Sequence, residues 1–199
     1  MAVFTVGKNR KAQRDADDYI LKYPMEQDLY NLMHYCCDKC VTIEWRNIYP
    51  YGVDCMVNQM LYLQRFRGKP MSTRAIHYIM SFTKDELFDK CKCEEVIKLL
   101  HWIIDYRDFK EYQRVLCLHA DKIGRYDVHL ILNPVNIYTY NLYHCSAGQF
   151  NEMMKELAAV FYLDKHIAIN GISYIREDGR MVYGSSLDLY QDQKCWIDG

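Results

Sequence analysis

The stretch RVLCLHADKIGRYDVHLILNPV, Arg114 to Val135, decides how this chain folds. Two apolar segments flank a short polar segment that contains a glycine, which is the pattern of two strands joined by a tight turn. Strands joined by so short a turn pair antiparallel. His119 lies near the end of the first strand, and Asp127 and His129 begin the second. Such polar groups are costly in an apolar sheet unless they bind something, so the hairpin also marks a candidate site.

The segments on either side of this hairpin predict further strands and helices. VFTVG and RAIHYIMSF have the composition of strands, and residues 11–22, residues 26–37 and the segment after GVDC have helical spacing. Two capping boxes, Thr83 with Glu86 and Ser146 with Gln149, predict the starts of two more helices. ISYIREDGRMVYG predicts a hairpin that turns at Asp178 and Gly179. We therefore expect an α+β fold, a central antiparallel sheet with helices packed on one side.

Length and composition predict one domain spanning residues 1–199, with a net charge of −1 that gives no overall basic signal. No run reaches the roughly 18 apolar residues of a membrane span, and the N-terminus lacks the apolar core of a signal peptide. We expect a cytoplasmic protein with reduced thiols. Nine cysteines include one Cys-x2-Cys pair, Cys37 and Cys40, beside Cys36, Cys91 and Cys93. One such pair predicts buried or incidental thiols rather than a zinc ribbon.

The alternation of side chains along a strand places the polar residues of the hairpin on shared faces. His119 lies on the face of Val115 and Cys117, and His129 on the face of Asp127. If the register aligns these faces, two imidazoles and a carboxylate form a plausible divalent-metal site. His77 joins the site if its strand is a neighbour. The alternative is that these are rim histidines with ordinary hydrogen bonds.

The hairpin also resembles the third motif of plasmid and transposon mobilisation relaxases, members of the HUH endonuclease superfamily. That motif reads H-x-D, a few residues, H-x-H, and a hydrophobic run that ends N-x-V-N. The matching residues are His119, Asp121, His129, Asn133, Val135 and Asn136. Asp127 stands where the family has its middle histidine, and the turn is slightly longer.

Three further segments resemble relaxase motifs in family order. RAIHYIMSFTKDEL is similar to H-x-I-x-S-F-x-x-x-E through His77, Ser81, Phe82 and Glu86. GVDC resembles G-x-N-C, with Asp54 in the place of the asparagine. LMHYCCDKC is similar to the helix of the nucleophilic tyrosine, with Tyr35 and Lys39 matching and Cys40 where threonine is usual. The resemblance covers residues 28–163, and residues 164–199 form a C-terminal hairpin and tail.

The resemblance implies a metal-dependent, site- and strand-specific nicking enzyme for plasmid or transposon mobilisation. Tyr35 would attack single-stranded origin-of-transfer DNA and form a 5′-phosphotyrosine intermediate, with Mg²⁺ or Mn²⁺ held by His119, Asp127 and His129. Asp121 and His77 would support these ligands, and accessory mobilisation proteins are possible partners. Lys39 lies at i+4 from Tyr35, so a helix would bring its ammonium near the phenol or the phosphate.

Single-stranded DNA needs a cationic track, for which the sequence offers two clusters. These are Arg65, Arg67, Lys69 and Arg74, and, near the N-terminus, Lys8, Arg10, Lys11 and Arg14. Solvated surface charge is the alternative for each cluster. Two other functions stay open: a rolling-circle initiator or transposase of the same superfamily that uses Tyr19, and an inactive relative that only binds DNA or a partner. The length fits either a small family member or an excised domain.

Overall fold

The computed structural model describes residues 3–6, 25–83, 93–120, 125–145, 149, 152–153, 156, 170–175 and 181–185. Seven strands and three helices lie within them. In chain order they are β1 (Val3–Val6), α1 (Glu26–Cys37), β2 (Thr42–Arg46), α2 (Val53–Phe66), β3 (Ile76–Thr83), α3 (Cys93–Ile104), β4 (Tyr112–Ala120), β5 (Arg125–Asn136), β6 (Asn170–Ile175) and β7 (Met181–Ser185). A short 3₁₀ turn, Arg107–Phe109, precedes β4.

Five strands form the central sheet in the order β1-β3-β5-β4-β2, and every neighbouring pair is antiparallel. The β4–β5 hairpin therefore lies inside the sheet, as its nearly continuous apolar sequence predicts. β2 was not predicted, because TIEWR is short and alternates with charged residues. The α+β fold and its antiparallel sheet are confirmed.

Helices pack on both faces of this sheet, so the expectation of a single covered face is wrong. α1 and α2 share a core with the odd-numbered side chains of β4 and β5, represented by Val115 and Ile131. Tyr78 and Leu130 point to the opposite face, where they line a small cavity with Ile103 of α3. The physical reason is that the odd-numbered and the even-numbered side chains of β5 are both mostly apolar. Each of the two faces that they form must therefore be covered.

α1 and α2 begin where local residues favour a helix start. Asp28 accepts a hydrogen bond from the Met25 N–H at 3.0 Å, and acidic side chains in the first turn suit the positive end of the helix dipole. Gly52 precedes α2 with φ +106°, a conformation that favours glycine and explains the first residue of GVDC. His34 in the last turn of α1 contacts Asp54 in the first turn of α2 at 2.8 Å. The two helices are thus fixed to each other beside the end of α1.

A buried amide network attaches α2 to the sheet. Asn133, fully buried in β5, donates to the Met60 carbonyl at 3.2 Å and to Gln113 Oε1 at 2.7 Å. Its Oδ1 accepts from Gln64 at 3.1 Å and from the Val135 N–H at 3.2 Å. All four hydrogen-bonding positions of the amide are therefore used, and the motif asparagine has a structural role here.

On the α3 face, Asp105 joins two arginines from neighbouring strands. Arg114, whose side chain is 4% exposed, and Arg46 each approach the carboxylate at 3.0 Å. Burial acts to raise the pKa of Asp105, but the hydrogen bonds from the two arginines outweigh it, so the pKa is lowered. The Asp105 carboxylate therefore compensates a buried guanidinium at the end of α3.

The remaining element predictions divide between confirmed ones and ones outside the described residues. The helices at residues 26–37 and after GVDC, and the C-terminal strand pair, are confirmed. The predicted helix at 11–22, the capping residue Glu86, most of the helix after residue 149 and the turn at 178–179 lie outside the described residues. No helix in the described part of the chain is long and apolar enough to cross a membrane.

Candidate active site

Three histidines meet on the α1–α2 face of the sheet, near the turn end of the β4–β5 hairpin. The register places His119 opposite Asp127 and Cys117 opposite His129, so the two predicted faces coincide. β3 is the other neighbour of β5, with His77 opposite Ile131. His77 therefore joins the same face, as expected if its strand was adjacent.

The imidazoles are in direct contact. His77 Nε2 and His129 Nδ1 are 2.9 Å apart, which is hydrogen-bond distance. The rings of His119 and His129 have centroids 4.4 Å apart, and those of His77 and His129 are 5.2 Å apart. We call His77, His119 and His129 the histidine cluster. His77 and His129 are each only 3% exposed, so the cluster is recessed below the surface.

Burial keeps two of these imidazoles neutral. It lowers the pKa of His77 to about 3, with the neighbouring His129 adding to the effect. It likewise lowers the pKa of His129 to about 4, with His119 contributing. A neutral imidazole has the free lone pair that a metal ion needs, so both residues are in the ligating form at neutral pH.

The hydrogen bonds of the cluster leave one buried nitrogen without a partner. His129 Nε2 is buried and has no hydrogen-bond partner. His119 Nε2, by contrast, donates to the main-chain carbonyl of Cys36 at 2.6 Å. Cys36 Sγ and one nitrogen each of His77 and His129 all lie within 4.8 Å of one another. An unpaired buried nitrogen among soft donors fits a divalent metal, because coordination would satisfy it.

Tyr35 lies beside this cluster at the end of α1. Its side chain is 53% exposed, whereas the next residue, Cys36, is fully buried. The tyrosine ring contacts His119 and His129 edge-on, with centroid distances of 5.5 and 5.7 Å. The structure thus brings together a solvent-accessible phenol and the predicted ligand histidines.

Asp127 is close to the cluster but engaged elsewhere. Its carboxylate pairs with both Nε and Nη2 of Arg125, at 3.1 and 3.0 Å, and accepts a hydrogen bond from Ser81. The side chain is 19% exposed. Its two oxygens are therefore already bonded, and ligation of a metal would require it to release one partner. Asp121 lies outside the described residues.

Lys39 does not have the helical relation to Tyr35 that its spacing suggested. α1 ends at Cys37, and the last helical bond joins the Asp38 N–H to the His34 carbonyl at 3.0 Å. Lys39 is exposed in the turn that follows. The i+4 argument for Lys39 is therefore wrong, because the helix stops two residues before it.

The basic cluster around FRGKP lies toward the other end of α1. Arg65 pairs with Glu26 at 2.7 Å, and Glu26 is the first residue of α1, roughly 13 Å along the axis from Tyr35. Arg67 donates to the carbonyls of Lys69 and Pro70. Arg74 approaches Gln64 at 3.4 Å. Arg65 therefore lies beside the first turn of α1, at the opposite end of this helix from Tyr35. The N-terminal basic residues and Tyr19 lie outside the described residues.

Cys36 was considered from the sequence only with the neighbouring cysteines, as a buried or incidental thiol, and was not assigned to the histidine site. Its burial was predictable, since Leu29, Leu32, Met33 and Cys36 form the apolar stripe of α1. The position of Cys36 over the histidines of the sheet could not be predicted, because it depends on how α1 crosses the β4–β5 hairpin.

Comparison with known proteins agrees with these observations. A family model described as relaxase, MobA/VirD2-like, nuclease domain, matches residues 35–162, more than half of the chain. The matched range begins at Tyr35 and includes the whole histidine cluster. No curated protein and no solved structure matches the chain. The chain therefore belongs to the MobA/VirD2-like relaxases and carries their DNA-nicking nuclease domain.

Proposed function

We propose that this domain nicks single-stranded DNA at an origin of transfer, with Tyr35 as the nucleophile. The observation that carries the proposal is the exposed Tyr35 ring packed against the rings of His119 and His129. A phosphate that reaches the phenol there also meets the histidine cluster.

The reaction is a transfer of one phosphodiester. The Tyr35 oxygen forms a bond to the phosphorus while the bond between phosphorus and the 3′ oxygen breaks. The products are a 5′-phosphotyrosine and a free 3′-hydroxyl, and the proton lost by the phenol is balanced by the one gained at the 3′ oxygen. The covalent link keeps the energy of the original bond, so the reverse reaction can rejoin DNA ends after transfer.

A phenol is protonated at neutral pH and is a weak nucleophile without assistance. We propose that a divalent metal, Mg²⁺ or Mn²⁺ by analogy with the family, binds at the histidine cluster with His129 as its central ligand. His119 and Asp127 are the further ligands that the relaxase motif implies, and His77 supports His129 through their 2.9 Å contact. When bound, such an ion would polarise the scissile phosphate and neutralise charge that develops in the transition state.

DNA binding is assigned to the FRGKP cluster and is expected to depend on salt. Lys69 is its strongest member because it is exposed, whereas Arg67 is half-buried and Arg65 already pairs with Glu26. Arg74 extends the cluster toward β3. The distance of this cluster from Tyr35 fits a strand that runs along α2 before it reaches the site. In the cell, accessory mobilisation proteins would assist the recognition of a plasmid or transposon origin.

The test is a cleavage assay on labelled single-stranded oligonucleotides from origin-like DNA, with Mn²⁺ or Mg²⁺ against EDTA. Denaturing gels detect a covalent protein–DNA adduct. Tyr35→Phe should abolish the adduct and leave the fold unchanged. Tyr30→Phe is the matched control on the same helix, because its phenol donates to Asn58 away from the cluster and the adduct should persist.

Two other outcomes would replace this proposal. An adduct that survives Tyr35→Phe but is lost in Tyr19→Phe would indicate a rolling-circle initiator or transposase. Metal and DNA binding without any adduct would indicate an inactive relative. The pairing of Asp127 with Arg125 is the observation that favours the inactive alternative.

A further inference from the structure

We propose that the metal of this domain is held by Cys36, His77 and His129, a mixed thiolate–imidazole set that selects a zinc-class ion over Mg²⁺. The inference rests on the proposed function, because it concerns the same metal. It changes the ligands and the ion that the relaxase motif alone implies.

Three separate elements bring the donors together. Cys36 comes from the last turn of α1, His77 from β3 and His129 from β5. One ligand atom from each lies within 4.8 Å of the other two. Sulfur and nitrogen ligands of a tetrahedral zinc ion are about 3.5 Å apart, so closure needs movements of roughly 1 Å. Side-chain rotation can supply movements of this size.

The environment of these donors favours coordination. All three residues are almost fully buried, at 0, 3 and 3% exposure. His129 Nε2 has no hydrogen-bond partner there, a state that buried polar atoms rarely keep. Coordination would satisfy this nitrogen.

The donors that the relaxase motif adds are less available. His119 Nε2 donates to the Cys36 carbonyl, so that nitrogen carries a proton and cannot ligate as placed. Asp127 is bonded to Arg125 and Ser81. Asp127 and His119 Nε2 would have to break these bonds before they could ligate, whereas His129 Nε2 has no hydrogen bond to break.

The chemistry of the set determines the ion. Mg²⁺ requires oxygen ligands in near-octahedral geometry, which two imidazoles and a sulfur do not offer. Thiolate and imidazole suit zinc and related ions, and Cys36 would bind as the thiolate, releasing its proton to solvent. Three protein ligands leave one position open, which is the arrangement of catalytic zinc sites.

The position of Cys36 next to Tyr35 gives this ligand a second consequence. Ligation would fix the last turn of α1 to the sheet through the Cys36 side chain, while the Cys36 carbonyl already accepts from His119. Cys36 is therefore also a positioning residue for Tyr35.

The test is titration of the full chain with Co²⁺ as a spectroscopic probe, followed by competition with Zn²⁺ and Mg²⁺. The wild-type protein should show a near-ultraviolet thiolate-to-cobalt charge-transfer band, and zinc, not magnesium, should displace the cobalt. Cys36→Ser should lose the band and weaken zinc binding at least about 10-fold. Cys37→Ser is the matched control, because it removes the adjacent thiol on the same helix. This variant should keep both the charge-transfer band and the zinc affinity.

The readouts separate this inference from the proposed function. Cobalt bound by the wild type without a charge-transfer band would overturn the ligand set, and so would a band that persists in Cys36→Ser. If Cys36→Ser does not fold by circular dichroism, the wild-type spectrum and a His77→Ala variant with unchanged zinc affinity serve as the refuting tests. A thiolate band without any DNA adduct would contradict only the proposed nicking function.

Discussion

The amide network around Asn133 allows a prediction that separates folding from catalysis within the relaxase motif. Asn133→Ala removes a fully buried amide that makes four hydrogen bonds, two as donor and two as acceptor. The asparagine lies four residues along β5 from His129, roughly 13 Å away. We expect the substitution to reduce stability strongly without removing any group from the histidine cluster.

The magnitude follows from the partners that lose a bond. Gln64 Nε2 keeps its 2.8 Å bond to the Arg74 carbonyl, so its loss is partial. The Val135 N–H and Gln113 Oε1 lose their hydrogen bonds to the Asn133 amide, and each unpaired buried group costs about 1–3 kcal/mol. With the small cavity left by the amide, we expect a loss of about 3–5 kcal/mol in the free energy of unfolding. That is a large part of the roughly 5–15 kcal/mol of a typical domain.

Urea unfolding followed by circular dichroism measures this loss. Asn31→Ala is the matched control, since Asn31 is exposed on α1 and its change should stay within about 0.5 kcal/mol. At a low temperature where Asn133→Ala is folded, DNA adduct formation should persist. A change below about 1 kcal/mol at Asn133, or lost nicking in a fully folded variant, would refute the structural role given to this asparagine.

The remaining predictions concern the site, one ion pair and DNA binding. His129→Ala should fold, as checked by circular dichroism, and lose metal-dependent adduct formation; retained cleavage would remove His129 from the site. Asp127→His should keep nicking and leave the metal affinity unchanged. Loss of the ion pair with Arg125 should lower the free energy of unfolding by less than about 1 kcal/mol, because Arg125 is 59% exposed. A higher metal affinity in the titration would make residue 127 a ligand. Asp105→Asn should cost about 1–2 kcal/mol at neutral pH, discounted because Asp105 is 42% exposed. Since the folded-state pKa of Asp105 is lowered, this contribution is present above the unfolded pKa near 4 and disappears as pH falls through the folded value, so urea melts of the two proteins should converge in acid. Single-stranded DNA affinity should fall steeply as salt rises, and a flat response would exclude an electrostatic track.

The hairpin could be predicted from the sequence because both of its signals are local. Apolar runs on either side of a glycine turn define the two strands, and alternation fixes which side chains share a face. The pairing of His119 with Asp127 follows once the turn length sets the register. The same is true of α1, whose apolar stripe of Leu29, Leu32 and Cys36 defined its buried face and its limits.

Three features could not be predicted: β2, the second covered face of the sheet and the pairing of Asp127 with Arg125. They depend on packing and side-chain conformations that local sequence patterns do not encode. β2 is too short and too charged to stand out, and it forms because β4 offers it an open edge. The second covered face follows from α3 packing mainly against β2 and β4, a choice that the capping pattern does not reveal. The pairing of Asp127 with Arg125 depends on rotamers two residues apart, beyond what strand alternation predicts.

The replacement of the middle motif histidine by Asp127 has a structural counterpart in this chain. A carboxylate at that position is held by Arg125, so it brings less negative charge to the cluster than a free aspartate would. The cluster nevertheless keeps three imidazoles, because His77 enters from β3 and contacts His129 at 2.9 Å. Directly above them, the helix that carries Tyr35 presents the Cys36 sulfur within reach of both. A metal site missing one motif ligand is thus surrounded by two donors from outside the motif, and the cobalt spectrum decides whether they replace it.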